Sequence, residues 1–200
     1  MSDSMHSANA SDGAFQSTAR PRRRWVVGLA FLAILIGYFV ISDLTMSRTK
    51  VGDRAPDFTA RTQSNELVSL SDFLGKKAVV LYFYPKNNTS VCTAQACSFR
   101  DAYDQFVDAG AEVIGVSSDS TESHGSFASE QRLQFQLISD RDGTLRKAFG
   151  VPKSLGLLPG RVTYVIDREG VVRLIFNSQL NADRHIAEAL QMVRELSRKI

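Results

Sequence analysis

The sequence predicts an α/β fold for residues 51–200, a mixed sheet layered by helices, preceded by one N-terminal apolar helix. Three observations carry that reading. Short β-branched and aromatic runs alternate with stretches of helical spacing, the pattern of a sheet covered by helices. Two runs near the C-terminus are separated only by turn residues, which places an antiparallel hairpin at one end of the sheet. Apolar residues make up 44% and charged residues 22% of the 200-residue chain. These values are near the globular averages and exclude wholesale disorder or a collagen-like repeat.

The first fifty residues stand apart. Residues 1–24 read as a disordered tail, mostly Ser, Ala, Asn, Gly and Asp, that ends in the basic run Arg20-Pro21-Arg22-Arg23-Arg24. Residues 25–41 are uncharged and mostly large and apolar. As a helix they span about 25 Å, the short end of what crosses a bilayer core. Extended to Leu44, residues 25–44 read as a transmembrane signal anchor, with residues 45–50 as a linker. A cleavable signal peptide is the rival reading, but the residues after Ile41 (Ser-Asp-Leu-Thr-Met-Ser) contain no Ala-x-Ala site. A twin-arginine export signal fits Trp25-Val26-Val27 poorly. Four arginines precede the run, against Arg48, Lys50 and Arg54 after it. The positive-inside bias then expects a single-pass membrane protein with a cytoplasmic N-terminus and residues 51–200 on the far, periplasmic or lumenal, side.

Charge follows the same division. Residues 1–50 hold six Lys or Arg against three Asp, which accounts for the whole net charge of +3. Residues 51–200 hold eighteen of each sign. The globular part therefore lacks the basic excess of a nucleic-acid binder, and no nucleic-acid role is expected. His6, His124 and His185 are scattered without ligand spacing, so no metal site is expected either.

Within residues 51–200 the elements follow in order. Residues 79–84 (Val-Val-Leu-Tyr-Phe-Tyr), closed by Pro85, read as a buried strand. Residues 99–107 carry helical spacing in Phe99, Tyr103, Phe106 and Val107, and the helix stops at Ala109-Gly110. Residues 112–117 form a second strand. Residues 123–131 and 143–149 are short helical stretches, the latter ended by Gly150. Residues 162–166 and 171–176 are strands joined through Asp167-Arg168-Glu169-Gly170. A last helix over residues 182–198 buries Ile186, Leu190, Val193 and Leu196.

Both cysteines of the chain, Cys92 and Cys97, lie just after the first strand. Two cysteines are too few for a disulfide-stapled mini-fold or a four-thiolate zinc site. Cys92 falls where a loop enters a helix, and helix N-termini stabilise thiolates through free N–H groups and the macrodipole. Thr89, three residues earlier, offers a hydroxyl, and Pro85 stiffens the loop without needing a backbone donor. The competing reading is a pair of small buried hydrophobes, since free cysteine is commonly buried. Spacing adds a mechanical argument. In a continuous helix, residues five apart have Cα atoms about 8.6 Å apart, whereas a disulfide needs them within about 7 Å. Either the two never bridge or the helix unwinds when they do. The spacing is also not the C-x-x-C of a disulfide oxidoreductase.

Pro85-x-x-x-Thr89-x-x-Cys92 resembles the active-site signature of the peroxiredoxins. The second cysteine five residues on is similar to the Q-type branch, also called bacterioferritin comigratory proteins. Val51-Gly-Asp-Arg-Ala-Pro-Asp-Phe58 resembles the family's opening, and Leu81-Tyr-Phe-Tyr-Pro85 its first core strand. Arg161-Val-Thr-Tyr-Val-Ile-Asp167 resembles the strand that bears its active-site arginine. The resemblance spans residues 51–200. It implies a thioredoxin-like fold in which Cys92 is the peroxidatic cysteine and Cys97 the resolving one, with a Cys92–Cys97 disulfide. Thr89 and Arg161 complete the site and Pro85 shields the sulfur. Ser90 stands where the family usually has Pro, and Gln95 where Glu is common. Neither is expected to touch the Pro/Thr/Cys/Arg set.

The implied function is a thioredoxin-dependent thiol peroxidase that reduces hydrogen peroxide and organic hydroperoxides. It needs no cofactor, works as a monomeric catalytic domain and is recycled by a thioredoxin-like reductant. Such chemistry needs thiolate, because free cysteine, with a pKa near 8.5, is mostly protonated at neutral pH. Fixed donors from Arg161 and Thr89 stabilise the charge that moves to the leaving oxygen, and the sulfenic acid so formed condenses with a second thiol. Two alternatives stay open on the residues alone: a membrane-tethered thiol–disulfide oxidoreductase, and a thioredoxin-like binding module with inert cysteines.

Overall fold

The computed structural model describes residues 48–153 and 159–198. The tail (1–24), the apolar segment (25–44) and residues 45–47 of the linker lie outside the described residues. Among the described residues no helix is long and apolar enough to cross a membrane.

The first strands among the described residues form a small antiparallel hairpin of β1 (Thr59–Arg61) and β2 (Leu67–Ser69). A second sheet has the order β5-β4-β3-β6-β7. Its strands are β3 (Ala78–Phe83), β4 (Ala111–Ser117), β5 (Gln136–Ser139), β6 (Val162–Ile166) and β7 (Val172–Asn177). β3, β4 and β5 run parallel, whereas β6 is antiparallel to β3 and β7 to β6. Parallel neighbours need crossover connections. These are supplied by α1 (Ser90–Asp101) with α2 (Tyr103–Asp108), and by α3 (Thr121–Gln131). α4 (Thr144–Ala148) precedes β6, and α5 (Ala182–Ser197) ends the described chain. This mixed sheet layered by helices is the α/β arrangement expected.

β3 is buried at every position, which is why it reads as a continuous apolar run rather than an alternating one. Its side chains still divide by the pleat. Val80 and Tyr82 join the core under α1, α2, α3 and α5 with Phe99, Phe106, Phe127, Leu137 and Val193. Val79, Leu81 and Phe83 join the opposite core with Phe58, Leu145, Phe149 and Tyr164. Tyr82 stacks on Phe99 at 4.5 Å between ring centroids. Gly115 of β4 makes room for that ring, because a Cβ there would stand 2.8 Å from the Tyr82 side chain.

Where the elements differ from the sequence reading, the reasons are local. The helix expected over residues 99–107 starts nine residues earlier and breaks at Ala102, which caps both α1 and α2. Its first two turns have few large apolar residues, so periodicity does not reveal them. β5 is a four-residue edge strand, and β1 and β2 have three residues each, too short for a period to register. The hairpin turn before β7 is as expected, with Gly170 at φ +81°. Leu196 is partly rather than fully buried.

Register places the chemistry. Phe83, the last residue of β3, pairs with Val162, the first of β6, and Val162 pairs with Asn177 at the end of β7. One end of the sheet therefore gathers Tyr84 and Pro85, Arg161, and the loop that follows Asn177. β4 is parallel to β3, so Ser117 and the start of α3 arrive at the same end. Ligand sites of open α/β sheets sit at such carboxyl ends of parallel strands, where the connections part in opposite directions.

Candidate active site

Cys92 is the third residue of α1, and its side chain is buried. Thr89 is the N-cap, with extended backbone (φ −96°, ψ 146°). The first bond of the helix runs from the Thr93 N–H to the Thr89 carbonyl, 2.8 Å. The amides of Ser90, Val91 and Cys92 thus head the helix, where the macrodipole presents its positive end.

Arg161, also buried, sits one residue before β6. Its Nη2 donates to Cys92 Sγ at 3.2 Å, its Nε to the Gln179 carbonyl at 3.0 Å, and its Nη1 to Gln95 Oε1. Every arm of the guanidinium is thus engaged, and one arm is aimed at the sulfur. A charged donor held on sulfur in a water-poor pocket complements the thiolate more than the neutral thiol. The contact with Gln95 corrects the sequence reading. Gln95 is buried, one helical turn beyond Cys92, and touches the arginine directly. Its Nε2 has no hydrogen-bond partner among the described residues.

Thr89 and Pro85 flank the sulfur less directly. The hydroxyl of Thr89 is exposed and donates to the Lys86 carbonyl at 3.2 Å, its one hydrogen bond among the described residues. It does not reach Cys92 in this conformation. Pro85 is half-buried where β3 ends. Cys97 lies on the same helix but, at 100° per residue, about 140° around it. Half-buried, its thiol faces Gln131 Oε1 at 3.5 Å, at the end of α3. Both cysteines are free thiols, and the helix between them is continuous.

Three further groups shape this end of the sheet. Arg146 of α4 donates from Nη1 to the Gly160 carbonyl at 2.9 Å and from Nη2 to the Tyr84 carbonyl at 3.0 Å. It ties together the backbone beside Pro85 and beside Arg161. Asn87, buried in the loop before Cys92, donates its backbone N–H to Asp119 Oδ2 at 2.9 Å and its amide to Ser123 Oγ at 2.9 Å. Tyr84 donates its hydroxyl to Asn87 Oδ1 at 2.8 Å. Burial pushes this phenol well above its ordinary value, so it stays a donor. Burial also pulls His124 below its ordinary value. The neutral ring donates from Nε2 to the Ile138 carbonyl at 3.1 Å and presents Nδ1 to Asn87 Nδ2 at 3.2 Å. The sequence reads Tyr84 only as part of a strand and His124 only as a histidine without ligand spacing, and it does not single out Arg146 or Asn87. A lone Arg or His on a short helix, or a lone Asn in a loop, carries no periodic or spacing signal, and only the register of the strands brings them together.

Comparison with known proteins agrees with this geometry. Residues 51–175 match the model of the AhpC/TSA family. The chain is 44% identical to a protein named chloroplastic peroxiredoxin Q from Triticum aestivum over 98% of this chain and 83% of that protein. It is 51% identical to the peroxiredoxin Q of Sedum lineare over 72% and 78% of the two chains. A crystal structure of the peroxidoxin BcpB from Mycobacterium tuberculosis superposes with a TM-score of 0.69 at 36% identity, covering 74% of this chain and 99% of that one.

These relatives overturn the single-pass membrane location. They are named as chloroplastic proteins. The membrane reading rested on residues 25–44, outside the described residues, and on hydropathy and flanking arginines, which do not by themselves specify a compartment. The membrane-tethered oxidoreductase has no support either, because the relatives are peroxiredoxins. Fold, family match and relatives agree that the chain is a thiol peroxidase with the thioredoxin-like peroxiredoxin fold, and that it belongs to the AhpC/TSA family in its peroxiredoxin Q branch.

Proposed function

We propose that Cys92 is the peroxidatic nucleophile and Cys97 the resolving thiol. The observation that carries this reading is the donation from Arg161 Nη2 to a buried Cys92 sulfur at the head of a helix. The Cys92 thiolate attacks the terminal oxygen of a hydroperoxide, hydrogen peroxide or an organic hydroperoxide. The S–O bond forms as the O–O bond breaks, and the leaving oxygen takes a proton to depart as water or an alcohol. Arg161 spans the sulfur and the incoming oxygen, so its charge is placed where negative charge moves. Thr89 turns its hydroxyl from Lys86 toward the bound oxygen, and Pro85 keeps water from the sulfur.

Cys92 is left as a sulfenic acid. The Cys97 sulfur attacks it, water leaves, and the Cys92–Cys97 disulfide forms. Five residues of intact helix hold the two Cα atoms about 8.6 Å apart, beyond the reach of a disulfide, so α1 unwinds between them. A thioredoxin-like dithiol then reduces the bridge, and the helix re-forms. No cofactor enters, and the catalytic domain works as a monomer.

The test is one equivalent of peroxide followed by mass spectrometry of wild type, Cys92→Ser and Cys97→Ser. Expected are an intramolecular bridge, no oxidation, and a lone sulfenic acid, in that order. A Cys97→Ser enzyme that cycles normally with thioredoxin overturns the resolving role.

A further inference from the structure

α5 carries a buried histidine that the peroxidase chemistry above does not use. His185 is wholly buried, and both ring nitrogens are engaged. Nε2 lies 2.8 Å from the Ser178 carbonyl, which can only accept, so Nε2 carries the proton and donates. Nδ1 then accepts from the Thr163 hydroxyl at 2.8 Å. The ring also meets Phe176 edge-on, 4.7 Å between centroids. The imidazole therefore bridges β6 to the loop that follows β7.

That loop is the one that holds Arg161. The carbonyl next to that of Ser178, on Gln179, accepts the Arg161 Nε–H at 3.0 Å. Thr163 stands two residues after Arg161 on β6, so the two side chains share a face of the sheet. Arg161 thus reaches Cys92 on α1 while Thr163 reaches His185 on α5. The contacts run Thr163, His185, Ser178, Gln179, Arg161 and Cys92.

We infer that His185 is a positioning residue for Arg161: it fixes the loop whose carbonyl aims the guanidinium at Cys92. An aliphatic side chain would fill the same core space, as Ile186, Ala189 and Leu190 do beside it, but would leave that loop untied. Arg161 is the charged neighbour from β6. On α5 itself Asp183 accepts from Ser98 Oγ at 3.1 Å, and Arg184 pairs with Glu188 at 2.8 Å. Burial, with Arg161 adding in the same direction, holds the imidazole at about 4. It therefore remains neutral and keeps the acceptor that Thr163 requires.

The inference rests on the assignment of Cys92 for its kinetic consequence but not for its structural one, and the experiment separates the two. In a Cys97→Ser background, His185→Leu, His185→Gln and Thr163→Val are compared by the rate of Cys92 oxidation by peroxide. Hydrogen exchange of the Arg161 Nε–H, followed by NMR, is measured alongside. His185→Leu is expected to slow oxidation by about 10- to 100-fold, the cost of misplacing a positioned group, and to remove the exchange protection of the Nε–H. His185→Gln retains a donor for Ser178 and an acceptor for Thr163, and is expected to restore most of both. Thr163→Val, which leaves the core filled, should give a smaller loss of the same two signals. Unchanged exchange and oxidation in folded His185→Leu overturn the inference. If that variant does not fold, unchanged signals in Thr163→Val overturn it. A parent protein in which Cys92 resists peroxide overturns the assignment of Cys92, while the exchange measurement still decides the role of His185.

Discussion

The surroundings of the two cysteines on α1 are built differently. Around Cys92 the sulfur is buried, sits at the head of the helix and receives a hydrogen bond from an arginine whose other arms are tied to Gln95 and Gln179. Around Cys97 the sulfur is half-buried and meets one glutamine oxygen at 3.5 Å. The same twelve-residue helix thus holds one thiol in a dense polar frame and the other in a loose one. The difference follows the proposed division of labour: a nucleophile works from a preorganised field, whereas a resolving thiol has to travel.

The sharpest way to break the comparison is at Cys92. Cys92→Ser is expected to abolish peroxide turnover, measured by coupled thioredoxin oxidation, because Cys97 lacks the arginine. Removing the frame instead of the thiol comes next. Arg161→Met keeps the aliphatic stem and is expected to slow oxidation of Cys92 by about 10²–10³-fold, the usual cost of one charge-stabilising donor. Stopped-flow mixing with peroxide reads this directly. Cys97→Ser should leave that first step nearly intact and lower turnover with thioredoxin, with more sulfinic acid found by mass spectrometry as peroxide rises.

Acid probes the buried histidine near the frame. His185 has an ordinary value of 6.5 and is held at about 4 in the fold. The unfolded chain therefore binds a proton that the native one refuses between those two values. Stability from this group is fully present above about pH 6.5 and is lost as pH falls toward 4, by roughly 2–3 kcal/mol. Urea midpoints at pH 7 and pH 5 should show that loss in wild type and a smaller one in His185→Gln. The mildest change is Gln131→Ala beside Cys97. It should alter stability by less than about 0.5 kcal/mol while speeding amide exchange across residues 95–99.

How far these features were legible depends on the kind of signal each leaves. β3, β4, β6, β7 and α5 are long enough, and apolar or periodic enough, to be read from the sequence directly. Cys92 and Arg161 are legible only because the residues around them resemble a known motif; nothing intrinsic distinguishes Arg161 from the other arginines. β5, the β1–β2 hairpin and the first turns of α1 are too short or too polar for periodicity to reveal. Arg146 and Asn87, and the contacts that His124 and Gln95 make, are not legible in the sequence because their importance is a product of register. The pairing of Phe83 with Val162 brings together segments some eighty residues apart, and no local pattern announces it.

The stacking of Phe99 on Tyr82 has a consequence for redox poise. Phe99 is buried two residues beyond Cys97 and its ring lies 4.5 Å from that of Tyr82 in the sheet. It pins the second half of α1, so any unwinding that joins Cys92 to Cys97 is confined to the turns before it. The free energy of refolding those few turns is released when the bridge is reduced, and it therefore favours the dithiol. For a two-electron couple, each 1.4 kcal/mol of that refolding raises the reduction potential by about 30 mV. Substitutions that strengthen the helix, such as Thr93→Ala, should make the disulfide a stronger oxidant toward its reductant. Helix propensity in one short segment thus becomes the setting that decides which dithiols can recycle the enzyme.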